Sequence, residues 1–96
     1  MIIGKITGTV VSTRKDENLE GFKFYIVEEL NPDMNCTGKS VVAVDIVGSG
    51  IDEIVLVAQG SSARQSSFTE GKSVDATVIG VIDTIETEGQ MKYKKE

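Results

Sequence analysis

The sequence contains no histidine and no tryptophan. Without an imidazole the commonest general base and metal ligand is missing. The single cysteine, Cys36, excludes an intramolecular disulfide and has no histidine with which to form a thiolate–imidazole pair. Proline occurs once, at Pro32, and the aromatics are three Phe and two Tyr. No apolar run approaches the ~20 residues that span a bilayer, and Met1–Lys5 has no signal-peptide layout. A membrane is therefore not an expected partner, and the unpaired cysteine suits a reducing cytoplasm. Basic residues are also scarce: 10 Lys and Arg face 15 Asp and Glu, for a net charge of −5. Only Lys92, Lys94 and Lys95 cluster. Phosphate backbones attract basic surfaces, so nucleic acid is not expected as the main partner.

What is present is a chain of short apolar runs punctuated by ten glycines. Ninety-six residues argue for one domain with a thin margin of stability. Ile2 to Thr13 alternates as a half-buried strand, with Ile2, Ile6 and Val10 on one face and Gly4 and Gly8 among them. Glycines inside a strand allow a sharp bend or a close backbone approach. After a charged turn, Phe22 to Leu30 reads as a second strand, with Phe22, Phe24 and Ile26 facing the core and Tyr25 and Val27 facing away. Asn31 to Gly38 reads as a loop. Val41–Val47 and Ile54–Ala58 are the third and fourth strands, around the turn Gly48-Ser49-Gly50. At least one of these two glycines is expected at positive φ or against a neighbouring backbone. Ser61 to Ser67 can form a short helical turn, since Ser62 and Gln65 have capping-box spacing. Ala76 to Ile85 is the fifth strand. Residues 1–86 thus make one barrel domain, and residues 87–96 a polar tail in which Met91–Lys94 alternates as an edge strand would.

Five strands, Gly-rich turns and at most a helical turn predict an all-β fold, a small antiparallel barrel of the OB type. A barrel interior takes one face of each strand. Here the third, fourth and fifth strands are apolar on both faces. Either the helical turn and the tail cover the second face or a neighbouring copy does. Little chain lies outside the strands, which favours a tight oligomer, because soluble monomers avoid a continuous apolar patch.

The residues that might carry chemistry do not assemble into a catalytic set. Gly60-Ser61-Ser62-Ala63-Arg64 lacks the closing glycine of a nucleophile elbow and has no histidine to activate a serine. Asp45, Asp52, Asp75 and Asp83 are spread over separate segments without Asp-x-Asp spacing. Asp45 and Asp83 lie in apolar strands and need partners, for which Arg64 is a candidate. Gly48-Ser49-Gly50 lacks the third glycine and the helix of a dinucleotide fingerprint. No metal or cofactor is expected. An OB-type module that binds nucleic acid or another ligand is the alternative class.

An ordered set of segments carries a resemblance. It comprises Gly4–Val11 with Thr13, Arg14 and Lys15; Leu19-Glu20-Gly21; Val44–Gly50, with Asp45, Gly48, Ser49 and Gly50; Glu53–Val57; Gly60–Arg64, with Ser61 and Ser62; and Asp75-Ala76 leading to Ile79–Asp83. In this set the chain resembles the bacterial microcompartment vertex proteins of the EutN/CcmL type. The resemblance implies an OB-like barrel assembled as a homopentameric ring, capping the corners of a polyhedral shell whose facets are hexameric shell proteins. It implies no catalysis and a location in a cytoplasmic microcompartment shell. The named residues are then candidates for subunit contacts or turns. Ser49 departs from the alanine common in that turn, and Asn31–Gly38 and the tail after Glu86 match weakly.

Overall fold

A computed structural model describes residues 1–12, 21–60, 63 and 75–96. Within them lie seven strands: β1 (Ile2–Val10), β2 (Lys23–Leu30), β3 (Cys36–Asp45), β4 (Ile54–Gln59), β5 (Ala76–Val81), β6 (Thr84–Thr87) and β7 (Gln90–Lys94). The first five close into a barrel in the order β1-β2-β3-β5-β4, and β6 and β7 form a separate antiparallel pair. One ladder departs from the antiparallel expectation. β3 and β5 run parallel, pairing Val44 with Thr77 and Asp45 with Val78.

The interior is filled by Ile6, Tyr25, Val27, Ala43, Val55, Val57, Ala76 and Val78, all buried. Two of these are alanines, which lets five strands close around a narrow core. Gly4 serves closure in the same way. A Cβ there would collide with the Val27 side chain and stand 3.0 Å from the Glu28 carbonyl oxygen, so β1 and β2 approach closely only because the side chain is absent.

Three assignments of faces and ends differ from the sequence reading, each for a physical reason. Tyr25 and Val27 are buried inside the barrel, whereas Phe22 and Phe24 pack outside it on Val44 and Ala63. The expected core face of β2 is therefore its outer face. Both faces of this strand are apolar, so alternation alone does not say which points inward. In β1, Ile2 and Ile6 share the inner face, but the register shifts between Ile6 and Gly8. The bulge inserts one residue and reverses the faces, so Val10 pairs with Phe24 on the outer surface. β3 begins at Cys36, earlier than expected, because Leu30 pairs with Cys36 and Glu28 with Ser40. Pairing to a neighbour, not hydrophobicity, makes Cys36–Ser40 a strand, and the loop shrinks to residues 31–35. There the Asn31 side-chain oxygen accepts the amides of Asp33 at 2.9 Å and Asn35 at 3.1 Å.

The fifth strand is also interrupted. It stops at Val81, where the next amide, that of Ile82, donates to the Ile54 carbonyl at 2.8 Å. The chain then turns into the β6–β7 hairpin, whose ladder pairs Ile85 with Tyr93 and Thr87 with Gln90. The hairpin borders the outer face of β1 and β4. Ile3 and Leu56 line one wall of a groove, and Ile82–Glu86 line the other. Lys92 bonds Asp33 at 3.2 Å and Lys95 bonds Glu53 at 2.8 Å. The expected helical turn over Ser61–Ser67 lies outside the described residues.

The close approach at Gly4 predicts an asymmetry between two glycines of one strand. Gly4→Ala should lower the unfolding free energy by about 1–3 kcal/mol through overpacking. Gly8→Ala should stay within about 1 kcal/mol of wild type, because its Cβ would meet only the movable end of Ile26, 3.4 Å away. Urea unfolding followed by circular dichroism measures both. Equal losses would remove the assigned role of Gly4.

Candidate functional site

The turn between β3 and β4 is the most densely bonded piece of the described surface, and it begins with Asp45. The carboxylate of Asp45 accepts the amides of Gly48 at 3.0 Å, Ser49 at 3.1 Å and Val47 at 3.4 Å. It also accepts the Ser49 hydroxyl at 2.6 Å. A carboxylate with this many donors holds the turn as a nest of converging N–H groups. Gly48 has φ 75°, the left-handed region that glycine enters without penalty. Gly50 does not need positive φ, so the expectation for this pair is met at Gly48 alone.

The turn crosses one end of the barrel. Ser49 is only 5% exposed, and its carbonyl accepts the Tyr25 hydroxyl at 2.9 Å from within the core. The Asp52 amide donates to the Ile6 carbonyl at 2.8 Å, and the Ile6 amide donates to the Glu53 carbonyl at 3.0 Å. Glu53 faces both ways. One of its oxygens accepts the Gly50 amide at 2.6 Å, and the other accepts the Lys95 ammonium at 2.8 Å. The Lys95 ammonium, and after it the Gly50 amide, holds the Glu53 carboxyl below the usual carboxylate range. In return Glu53 raises Lys95 above its ordinary value. Cys36 is exposed, and its hydrogen bond with Glu28 pushes the thiol upward, away from the reactive thiolate. Among the described residues no group of three or more Cys, Asp or Glu side chains stands together as a metal site would need.

The residues singled out from the sequence fall in several places. Asp45, Gly48, Ser49 and Gly50 come together in the turn just described. Gly21 has φ 84° just before Phe22. Gly60, at φ 63°, ends β4, and its amide donates to the Asp75 carbonyl at 2.7 Å. Asp83 is exposed between β5 and β6, and its carbonyl accepts the Lys95 amide at 2.7 Å. Thr13, Arg14, Lys15, Ser61, Ser62 and Arg64 lie outside the described residues, and with them the suggested pairing of Arg64. Two contributors escaped the sequence reading. Tyr25 was placed on the outer face, and Glu53 was passed over although it follows Gly50 by three residues, a reach that suits a side chain closing a turn.

The second notable surface is apolar. Ile26 and Val42 are direct partners on the outer face of β2 and β3, exposed to 37% and 51%. They remain open, while Phe22 and Phe24 lean on Val44 and Ala63.

The family described as ethanolamine utilisation protein EutN/carboxysome matches residues 1–83. The chain is 48% identical over 87 residues to the bacterial microcompartment shell vertex protein GrpN of Rhodospirillum rubrum, covering 91% of this chain and 98% of that protein. It is 43% identical over 95 residues to the carboxysome shell vertex protein CcmL of Synechococcus elongatus, covering 99% and 96%. Among solved structures it is similar to CcmL of Nostoc sp. PCC 7120, with a TM-score of 0.94 at 45% identity over 99% of this chain and 100% of that one. It is also similar to GrpN, described as a pentameric microcompartment shell protein, with a TM-score of 0.81 at 47% identity over 91% and 98%.

Two outcomes follow from the turn. Asp45→Ala removes the acceptor for several donors at once and should cost about 1.5–3 kcal/mol, the worth of a hydrogen bond to a charged group. Gly48→Val should cost about 1–3 kcal/mol for forcing a branched residue to positive φ, and Gly48→Asn less; denaturant unfolding ranks the three. For Glu53 the sign is that of a lowered carboxyl. Its contribution is complete above the ordinary glutamate range, about pH 4.3, and is lost as pH falls through the lowered folded value. Hydrogen exchange should show the Lys95 amide losing protection in that acid window, and at neutral pH in Glu53→Gln. Unchanged protection in that variant would mean that Glu53 does not hold the chain end.

Proposed function

The chain belongs to the EutN/CcmL family, and on that premise we propose that it is a structural shell protein of a bacterial microcompartment, a pentamer that caps the vertices of the shell. The observation that carries this reading is its 48% identity to a shell vertex protein across nearly all of both chains, joined to the likeness to a structure described as pentameric. The geometry is consistent with a building block. A closed barrel leaves an apolar strip at Ile26 and Val42 that its own chain does not cover, as expected of a surface that is buried on assembly.

The activity is then the symmetry itself. Hexagonal tiles extend as a flat or rolled sheet, and a closed polyhedron needs pentagons at its corners. Five copies joined by one repeated contact supply such a corner, and hexameric shell proteins are the partners at its rim. No catalytic step is assigned to the chain, and its net charge of −5 argues against nucleic acid as the main partner.

Light scattering or native mass spectrometry should give five times the chain mass at micromolar concentration. Deletion of the gene in its host should leave facets that form but do not close, seen by electron microscopy as elongated or open shells. A stable monomer together with normal closed shells in the deletion strain would defeat the proposal.

A further inference from the structure

The geometry points to the two faces that meet in the ring: the Ile26–Val42 strip of one copy seats in the groove between β4 and the β6–β7 hairpin of the next. This rests on the ring reading above and goes further by naming the contact. A ring of five has no twofold axis between neighbours, so its contact must join two different patches of the chain. The closed strand order β1-β2-β3-β5-β4 places the β2–β3 seam across the barrel from β4. Features on these two sides point in different directions, as the two contacts of a closed ring's subunit do.

The shapes and chemistry of the two sides are complementary. On the seam, Ile26 and Val42 stand directly opposite each other and project outward, since their neighbours Tyr25, Val27 and Ala43 are in the core. On the far side Ile3 and Leu56 form one wall of a groove of about 530 Å³, and Ile82 and Ile85 form part of the other. Gly80, the register partner of Leu56, adds no side chain beside it. The strip is bordered by exposed Lys39, and the groove is bordered by exposed Asp83 and Glu86. Glu28 also borders the strip, and its carboxyl is taken up by the hydrogen bond with the Cys36 thiol. An apolar ridge with Lys39 and the thiol-bonded Glu28 at its edge thus meets an apolar furrow edged by Asp83 and Glu86, and Lys39 is the group that can pair across the contact and fix its register.

The test is native mass spectrometry of the full chain and five variants, each checked for an unchanged β-type circular dichroism spectrum. Val42→Asp, at an exposed position, should remove the pentamer and leave monomer. Ile85→Asp should do the same from the groove side. Met91→Asp, equally exposed but outside both surfaces, should leave the pentamer intact. Lys39→Glu should weaken the ring most at low ionic strength, where its repulsion from Asp83 and Glu86 is least screened, and the further changes Asp83→Lys and Glu86→Lys should restore it. A pentamer that persists in folded Val42→Asp or Ile85→Asp overturns the assigned contact while leaving the ring reading standing. A wild-type chain that is itself monomeric fails the ring reading instead.

Discussion

The carboxylate of Asp45 is the contact on which the rest of the barrel depends. By gathering the amides of Val47, Gly48 and Ser49 it stops β3 and turns the chain across the barrel mouth. That crossing buries Ser49 beneath the Tyr25 hydroxyl and brings Asp52 and Glu53 onto Ile6. Only then can Ile54 enter β4 in register with Lys5 and close the sheet. A residue without an acceptor at position 45 would leave the Val47 and Gly48 amides to water and the amide of buried Ser49 to stay unpaired. The cost of an unsatisfied buried donor exceeds the gain from a made one. Hence the arrangement is one in which a single charged side chain replaces many separate backbone contacts.

The same closure explains why part of the fold was legible in the sequence and part was not. Strand existence was legible, because runs such as Val41–Val47 and Ile54–Ala58 are too short and too β-branched for helices, with glycine turns between them. A positive φ at one of Gly48 and Gly50 was legible for a similar reason, though not which of the two takes it. Faces were less so. Phe22, Phe24 and Ile26 alternate as cleanly as Tyr25 and Val27, and what sends the second pair inward is the Ser49 carbonyl waiting for the Tyr25 hydroxyl, a partner 24 residues away. The bulge at Ile6–Gly8 has no signature beyond a glycine, yet it reverses every face after it. The first residues of β3 are polar and exposed, and only their ladder with Glu28 and Leu30 makes them a strand. Of the candidate site, the turn residues were found, while Glu53 and Tyr25, which brace it from the two sides, were not.

Strands that are apolar on both faces raised the question of what covers the second face, and the structure divides the answer. Part is covered from within the chain. Thr77 is fully buried with its hydroxyl on the Ala63 carbonyl at 2.8 Å, and Phe22 and Phe24 pack on Val44 and Ala63. Leu30 and Ile54 are also buried outside the central core cluster. What remains open includes the sector formed by Ile26 with Val42, across the barrel from β4, and, among the described residues, Val11, Val47, Ile51 and Ile79 as well. Self-coverage and a neighbour are therefore not alternatives. Among the described residues, the chain covers part of its apolar outer surface with its own side chains and leaves part of it open.

The hairpin then has a second role that follows from its position. The family match ends at residue 83, one residue before β6 begins. The likeness to CcmL of Nostoc sp. PCC 7120, by contrast, covers 99% of this chain, so it takes in β6 and β7 as well. One wall of the groove is Ile82–Glu86, and the hairpin end is tied to the core by Lys95 on Glu53, whose other oxygen holds Gly50. A change in the hairpin can therefore reshape the groove while Asp45, Tyr25 and the core stay as they are. Because exposed ion pairs contribute little to stability, the Lys95–Glu53 bond matters more for where the hairpin sits than for whether the barrel folds. In this way the hairpin shapes one wall of the groove, while the turn pinned by Asp45 holds the barrel closed.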